Sequence, residues 1–188
     1  MKNKKLILIG ASTGGPGHLE KILRSLDANF SATLIITQHI DSIFLPSMIK
    51  RLNDLCHVKV IQAHENESIA EACVVFTHKK ITDLHIHNTK GLHLRQSTQV
   101  SHYNPSINAL FSSASRLHMH CNTLACLLTG IGDDGAQGLL ELKDSGAYCI
   151  TEAEESCIVY GMPKAAEEIG ASSKTLPLDK IISVINNF

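Results

Sequence analysis

Near its N-terminus the chain carries the stretch Lys5-Leu-Ile-Leu-Ile9-Gly-Ala-Ser-Thr-Gly-Gly-Pro-Gly17. The aliphatic run Leu6–Ile9 has no polar alternation, which is typical of a parallel strand buried on both faces. The glycines that follow permit a sharp turn, and apolar residues at helical spacing continue over His18–Leu26. The segment therefore predicts a strand, a tight turn and a helix in immediate succession.

The same alternation continues along the chain. Thr33–Thr37 predicts a second buried strand, a helix with one apolar face follows, and a third strand is predicted near Val58–Ile61. This order predicts an α/β fold with a doubly wound, mostly parallel sheet. Further elements are predicted as a helix from Pro105, strands at Leu124–Leu128 and Ala147–Thr151, and helices at Ala136–Lys143, Pro163–Glu168 and Leu178–Asn186.

The middle of the chain departs from this pattern. Cys73–Thr77, Leu84–His87 and Leu92–Arg95 are short segments, and Asn88–Gly91 is a predicted hairpin turn between the last two. We interpret residues 73–96 as an antiparallel hairpin insertion. Because no repeat or Pro/Ser-rich linker divides the chain, we predict a single domain spanning residues 1–188.

The composition argues against several functional classes. Seventeen basic and eighteen acidic residues leave a net charge of -1, which gives no indication of nucleic acid as a partner. No apolar run approaches the roughly 18 residues of a membrane-spanning helix. We therefore expect a cytoplasmic protein without direct membrane insertion, and we expect its six cysteines to be reduced.

Three predicted strand ends carry side chains that can perform chemistry. Ser12 follows the first strand, His39 follows the second, and Asp133 and Asp134 follow the strand at 124–128. In an open parallel sheet such residues gather at the carboxyl ends of the strands. A serine nucleophile needs an imidazole to accept its proton and a carboxylate to orient that imidazole. The pattern thus favours nucleophilic catalysis by Ser12.

Other interpretations of the same residues remain open at this point. The Gly10–Gly14 segment fits the G-x-S-x-G pattern, but a glycine-rich turn that opens a helix can also bind phosphate. The dinucleotide pattern G-x-G-x-x-G is absent, and His39 stands where a ribose-binding acid is expected. Asp133 and Asp134 could each simply cap a helix, and their spacing does not choose between them.

Two groups of histidines raise the alternative of a metal site. His85 and His87 share one face of a predicted strand, with His93 across the hairpin, and His118–Cys121 forms a second group. Neither has the spacing of a known zinc site or a nearby acidic ligand. We expect no metal and no cofactor, and we interpret these histidines as solvated residues of the strand faces.

Several ordered blocks together resemble the catalytic domain of the chemotaxis receptor methylesterases, the CheB family. The blocks are IGASTGGP at 9–16, QH at 38–39, NPSINALFSSA at 104–114, LLTGIGDDGAQG at 127–138 and GMPKAA at 161–166. The resemblance implies hydrolysis of glutamate γ-methyl esters on methyl-accepting chemotaxis receptors, with release of methanol. It also implies deamidation of receptor glutamines in many members.

Carried over by position, the family's nucleophile, histidine and aspartate fall on Ser12, His39 and Asp134. Backbone N–H groups at Thr13 and Ile131 are expected to stabilise the oxyanion. The partner implied is the cytoplasmic helical bundle of the receptor, and we expect a monomer. A different class of function is a catalytically inactive docking scaffold, but such a scaffold would not need Ser12, His39 and Asp134.

The chain departs from the family pattern at three places. Ile131 replaces the usual methionine, His39-Ile-Asp41 replaces the usual H-M-P, and Thr77–Asp83 replaces a segment rich in proline and glycine. The sequence starts at the first predicted strand, without the phospho-receiver domain of a typical member, so it is either a catalytic fragment or a protein that lacks that switch. We therefore assign no phosphorylation-dependent control to this sequence, and the rim that meets the receptor is expected to differ most.

Overall fold

The computed structural model describes residues 4–87, 91–117 and 120–188. Its strands are β1 (Lys4–Ala11), β2 (Thr33–Gln38), β3 (Val60–Gln62), β4 (Val74–Phe76), β5 (Ile81–His87), β6 (Gly91–Gln96), β7 (Cys121–Leu127), β8 (Tyr148–Glu152) and β9 (Lys174–Leu176). Its α-helices are α1 (Gly15–Ser25), α2 (Leu45–Leu55), α3 (Ile107–Ser115), α4 (Ala136–Asp144), α5 (Met162–Glu168) and α6 (Leu178–Asn187).

Seven strands form one sheet in the order β3-β4-β2-β1-β7-β8-β9, and all of their pairings are parallel. β5 and β6 form a separate antiparallel pair. The predicted α/β fold with a mostly parallel sheet and an antiparallel hairpin is therefore confirmed. β1 lies between β2 and β7. The three strand ends that carry the candidate catalytic side chains are therefore next to one another.

The two faces of β1 contribute to different hydrophobic clusters. Leu6 and Leu8 pack in the cluster that includes α3 and α4, while Ile7 and Ile9 pack in the cluster that includes α1 and α6. All four side chains are essentially inaccessible to solvent. Because successive side chains of a strand point to opposite faces, the continuous aliphatic run is explained by helices that cover both faces.

Part of the predicted antiparallel insertion was wrong. Val74–Phe76, within the segment Cys73–Thr77, pairs in parallel with both β2 and β3 and so belongs to the main sheet. The reason is that three apolar residues in a row carry no signal of strand direction. The antiparallel pairing is confined to β5 and β6, and residues 88–90 of the predicted turn lie outside the described residues.

One strand was not predicted from the sequence. β9 contains Lys-Thr-Leu and pairs in parallel with β8 at the edge of the sheet. It is too short and too polar to show the apolar run of a buried strand. No helix within the described ranges is long and apolar enough to cross a membrane.

The hairpin of β5 and β6 contacts α3 through hydrophobic packing and one buried hydrogen bond. Leu84 and Leu94 belong to the same hydrophobic cluster as Leu110 of α3. The Leu84 N–H group donates to Oγ of Ser113 at 2.8 Å, and the Ser113 side chain is fully buried. The hydroxyl therefore gives a buried backbone donor its acceptor.

We predict that Ser113→Ala destabilises the protein because it leaves the buried Leu84 N–H group without an acceptor. The expected loss in the free energy of unfolding is about 1–3 kcal/mol. Urea denaturation followed by circular dichroism measures it. Ser112→Ala is the matched control on the same helix, with an expected change within about 0.5 kcal/mol. Equal stability of the two variants would contradict the prediction.

Candidate active site

The backbone of Ser12 is held from three directions in the turn between β1 and α1. Its N–H group donates to the Thr129 carbonyl at 3.0 Å. Its own carbonyl accepts the Gly15 N–H group at 2.8 Å and Nε2 of Gln38 at 2.9 Å. Gln38, the last residue of β2, is almost fully buried. The position of the serine is therefore fixed by all three central strands and the start of α1.

Two glycines make room for this turn. Gly14 has a φ of 85°, and a Cβ atom at this position would lie 2.6 Å from Cβ of Ile158. A Cβ atom on Gly130 would lie 2.6 Å from Cβ of Ser12 and 2.7 Å from Sδ of Met162. Any larger residue at either position would therefore displace the Ser12 turn or the loop opposite it.

His39 lies between Ser12 and Asp134 at the end of β2. Its Nδ1 atom is 3.2 Å from Oγ of Ser12, and its Nε2 atom is 2.8 Å from Oδ2 of Asp134. The ring of Tyr103 stacks on the imidazole, with centroids 4.9 Å apart and planes inclined by 6°. The backbone N–H group of His39 donates to the Ala11 carbonyl at 3.0 Å.

These contacts determine where the imidazole proton lies. An ionised carboxylate can only accept a hydrogen bond, so Nε2 of His39 carries the hydrogen that Asp134 accepts. The lone pair of Nδ1 then faces the Ser12 hydroxyl and can accept its proton. The ring is turned the opposite way from that of the chymotrypsin-type triad, in which Nε2 faces the serine.

Asp134 has no exposed surface, and its carboxylate accepts four hydrogen bonds. Oδ2 accepts from His39 and from the Ile107 N–H group at 2.7 Å. Oδ1 accepts from the Asn108 N–H group at 3.0 Å and from Oγ of Ser106 at 3.2 Å. The other three donors come from the N-terminus of α3, where the helix dipole favours a negative charge. The sequence analysis did not identify Ser106, although the block at 104–114 contains it.

The neighbouring aspartate has a different environment. Asp133 is exposed, whereas Asp134 is directed into the protein toward His39. The structure thus brings Ser12, His39 and Asp134 together and leaves Asp133 outside this chain of hydrogen bonds. Spacing alone could not distinguish the two residues.

Two backbone N–H groups near Ser12 are available to a ligand. Thr13 follows the serine directly, and Ile131 follows Gly130, which lies against the serine side chain. Within the described part of the chain, neither N–H group donates a hydrogen bond. The Ile131 side chain is 62% exposed, so its identity has little effect on the packing of the loop. The pair could accept a developing oxyanion.

A buried hydrogen-bonded pair beneath the turn, His18 and Glu152, was not predicted from the sequence. Oε2 of Glu152, the last residue of β8, accepts from Nδ1 of His18 at 3.2 Å and from the Thr129 N–H group at 2.9 Å. Oε1 accepts from Oγ of Ser156 at 2.8 Å. Burial alone would raise the pKa of Glu152, but these hydrogen bonds outweigh it and hold the pKa below its ordinary value.

The histidines proposed above as solvated residues are not all solvated. His93 is 1% exposed, and its Nδ1 atom is 3.1 Å from the Gly91 carbonyl. Its ring stacks on that of His85 at 5.9 Å, and burial lowers the pKa of His85. His118 lies outside the described residues. Within residues 4–87, 91–117 and 120–188 no group of three or more His, Cys, Asp or Glu side chains could hold a metal ion.

Two shallow cavities lie beside His39. One has a volume of about 290 Å³ and includes Gln38, and the other has a volume of about 300 Å³ and includes Tyr103. Lys79 and Asn104 line both cavities. A larger cavity of about 600 Å³ lies at the opposite edge of the sheet, where the strands begin, and is remote from Ser12.

We predict that the Glu152 carboxylate stabilises the fold only above acid pH. Because its pKa is lower in the folded state than in the unfolded state, its contribution is present above the unfolded value and is lost as the pH falls through the folded one. The wild-type advantage in unfolding free energy over Glu152→Gln should therefore shrink as the pH falls below the ordinary glutamate value of 4.5, as measured by urea denaturation. The exposed Glu155→Gln is the control. A pH-independent difference would contradict the prediction.

The chain is similar to known proteins over almost all of its length. Residues 7–185 match the family model described as CheB methylesterase. A protein-glutamate methylesterase/protein-glutamine glutaminase 2 of Carboxydothermus hydrogenoformans is 37% identical over 97% of this chain, and a protein-glutamate methylesterase/protein-glutamine glutaminase of Aliivibrio fischeri is 34% identical over 96%. The chain covers 54% and 48% of these relatives, which is about half their length.

A solved structure is also similar over nearly the whole chain. The crystal structure of the Thermotoga maritima CheB methylesterase catalytic domain superposes with a TM-score of 0.89 and 30% sequence identity. The match covers 98% of each chain. On the evidence of its sequence, its fold and its arrangement of strand ends, this chain belongs to the CheB methylesterase family.

Proposed function

We propose that this chain is a serine hydrolase that cleaves glutamate γ-methyl esters on chemotaxis receptors and releases methanol. The observation that carries the proposal is the continuous line of hydrogen bonds from Ser12 through His39 to Asp134. Family membership supplies the substrate class, since the relatives are named protein-glutamate methylesterases. In this proposal Ser12, His39 and Asp134 are the catalytic residues.

The first step forms an acyl-enzyme. Oγ of Ser12 attacks the ester carbonyl while Nδ1 of His39 accepts the hydroxyl proton. The charge that develops on the carbonyl oxygen is stabilised by the N–H groups of Thr13 and Ile131. Asp134 keeps the hydrogen on Nε2 and stabilises the imidazolium. His39 then returns the proton to the methoxy oxygen, and methanol leaves.

The second step regenerates the enzyme. Water attacks the glutamyl-serine ester, with Nδ1 of His39 again accepting a proton. Collapse of this second tetrahedral intermediate breaks the bond to Oγ of Ser12 and returns the proton to it. The products are a free glutamate side chain and the original enzyme.

The same residues can deamidate glutamine. The amide carbonyl replaces the ester carbonyl, and His39 protonates the nitrogen so that ammonia leaves instead of methanol. Both activities appear in the names of the relatives. We therefore include deamidation of receptor glutamines in the proposed function.

The surroundings of Ser12 are suited to a protein substrate. Exposed apolar side chains from three loops stand at this edge of the sheet, namely Ile43, Phe44, Ile131 and Ile158. Such side chains can pack against a partner surface, whereas the cavities beside His39 are shallow. We propose that the partner is the cytoplasmic helical bundle of a methyl-accepting receptor. We further propose that the chain acts in the cytoplasm, as a monomer and as one catalytic domain.

We predict that Ser12→Ala lowers kcat by about 10⁴-fold or more, because the other triad residues cannot act without the nucleophile. The measurement is methanol release from a receptor fragment that carries γ-methyl glutamate, with ammonia release from its glutamine counterpart. Ser183→Ala, an exposed serine of α6, is the control. Methanol release by Ser12→Ala near the wild-type rate would refute the assignment. Tight nucleotide binding by calorimetry without ester hydrolysis would favour the phosphate-binding loop.

We predict that Asp134→Asn lowers kcat by about 10³–10⁴-fold and that Asp133→Asn has little effect. The asparagine side chain would have an NH2 donor in place of one carboxylate oxygen. If the NH2 group faces His39, it favours the wrong tautomer, and if it faces α3, it meets N–H groups that are themselves donors. Methanol release and the unfolding midpoint should be measured together on both variants. Equal activity of the two variants would contradict the role of Asp134.

A further inference from the structure

The buried His18–Glu152 pair is joined to the proposed active site by Thr129. Thr129 is fully buried, and its N–H group is held by Glu152. Its carbonyl accepts the Ser12 N–H group at 3.0 Å, and its Oγ1 donates to the Thr13 carbonyl at 2.9 Å. One residue is thus connected to the carboxylate on one side and to the nucleophile turn on the other.

Thr129 also fixes the loop that faces the nucleophile. Its Oγ1 accepts the N–H groups of Ile158 and Val159 at 3.1 Å and 2.9 Å. The next residue, Gly130, donates to the Val159 carbonyl at 3.0 Å, and Ile131 follows it. The backbone around Thr129 therefore determines where both available N–H groups stand relative to Ser12.

Both carboxylate oxygens of Glu152 are hydrogen-bonded. The residue has no exposed surface and accepts from three donors on three separate elements, namely α1, the end of β7 and the turn after β8. Burying a carboxylate is unfavourable unless its oxygens are hydrogen-bonded, and here every donor also belongs to a segment around the site. The lowered pKa of Glu152 agrees with an ionised acceptor.

We propose that Glu152, oriented by His18, is a positioning residue that holds Thr129 and so places the Thr13 and Ile131 N–H groups for the oxyanion. This inference rests on the proposed hydrolase function of the same site. Glu152 acts through Thr129 and does not touch the substrate. Glu152 should therefore contribute to stabilisation of the transition state and not to binding of the substrate.

The first test separates kcat from KM. Glu152→Leu removes the acceptor for the Thr129 N–H group. We expect kcat to fall about 100-fold, because removal of one oxyanion donor costs about 10²–10³-fold in kcat. KM should change less than about threefold. Glu152→Gln keeps an acceptor for that N–H group and should recover kcat to within about tenfold of the wild type. Glu155→Leu, an exposed glutamate three residues away, is the matched control.

The second test measures the coupling of the pair. His18→Ala leaves the buried carboxylate without its donor from α1, and kcat should fall about tenfold in the wild-type background. In the Glu152→Gln background the same change should cost less than about threefold, because a neutral amide needs no such donor. Equal effects in both backgrounds would contradict orientation of Glu152 by His18. His18→Ala and Glu152→Gln also allow the proposal to be tested if Glu152→Leu does not fold.

The third test does not depend on the receptor substrate. An alkyl phosphonofluoridate phosphonylates an activated serine, with loss of fluoride, through a five-coordinate state in which negative charge develops on the phosphoryl oxygen. Its inactivation rate should therefore follow the kcat values of the variants. If Glu152→Leu is folded and keeps the wild-type inactivation rate and kcat, the positioning role is wrong. If the wild type reacts with the reagent but releases no methanol from the receptor fragment, the proposed function is wrong and the positioning role can still be measured.

Discussion

The buried carboxylate of Asp134 is the interaction on which the arrangement of the site depends. A charge without exposed surface is tolerated only when donors surround it, and Asp134 has four of them. Three come from the start of α3 and one from the ring of His39. Satisfying this one side chain therefore fixes α3 against the end of β7 and fixes the imidazole against Ser12.

The parallel sheet supplies the geometry within which that carboxylate works. β1 lies between β2 and β7, so the loops that carry Ser12, His39 and Asp134 leave the sheet at the same edge. On the far side of Ser12, Glu152 performs a comparable task at the end of β8. It is also a fully buried carboxylate, and it holds the Thr129 backbone. Two buried acids, one after β7 and one at the end of β8, therefore hold His39 and the Thr129 backbone on either side of Ser12.

The parts of the fold and site that the sequence predicted are those with a local signal. The aliphatic run of β1 predicted a strand covered on both faces, and the glycine-rich turn predicted a strand-to-helix connection. Val74–Phe76 was assigned to the wrong sheet because a three-residue apolar run contains no information about its partners. His93 was interpreted as solvated because its pairing with Ser68, which is distant in sequence, leaves no local signal.

The sequence by itself determined the fold class, the family and the three strand ends at which chemistry could occur, because periodicity and motifs are local properties of the chain. Only the tertiary structure decided which nitrogen of His39 faces Ser12, why Asp134 and not Asp133 is buried beside it, and that Glu152 meets His18 across 134 residues. These depend on contacts between side chains far apart in the sequence, and no local pattern records such contacts.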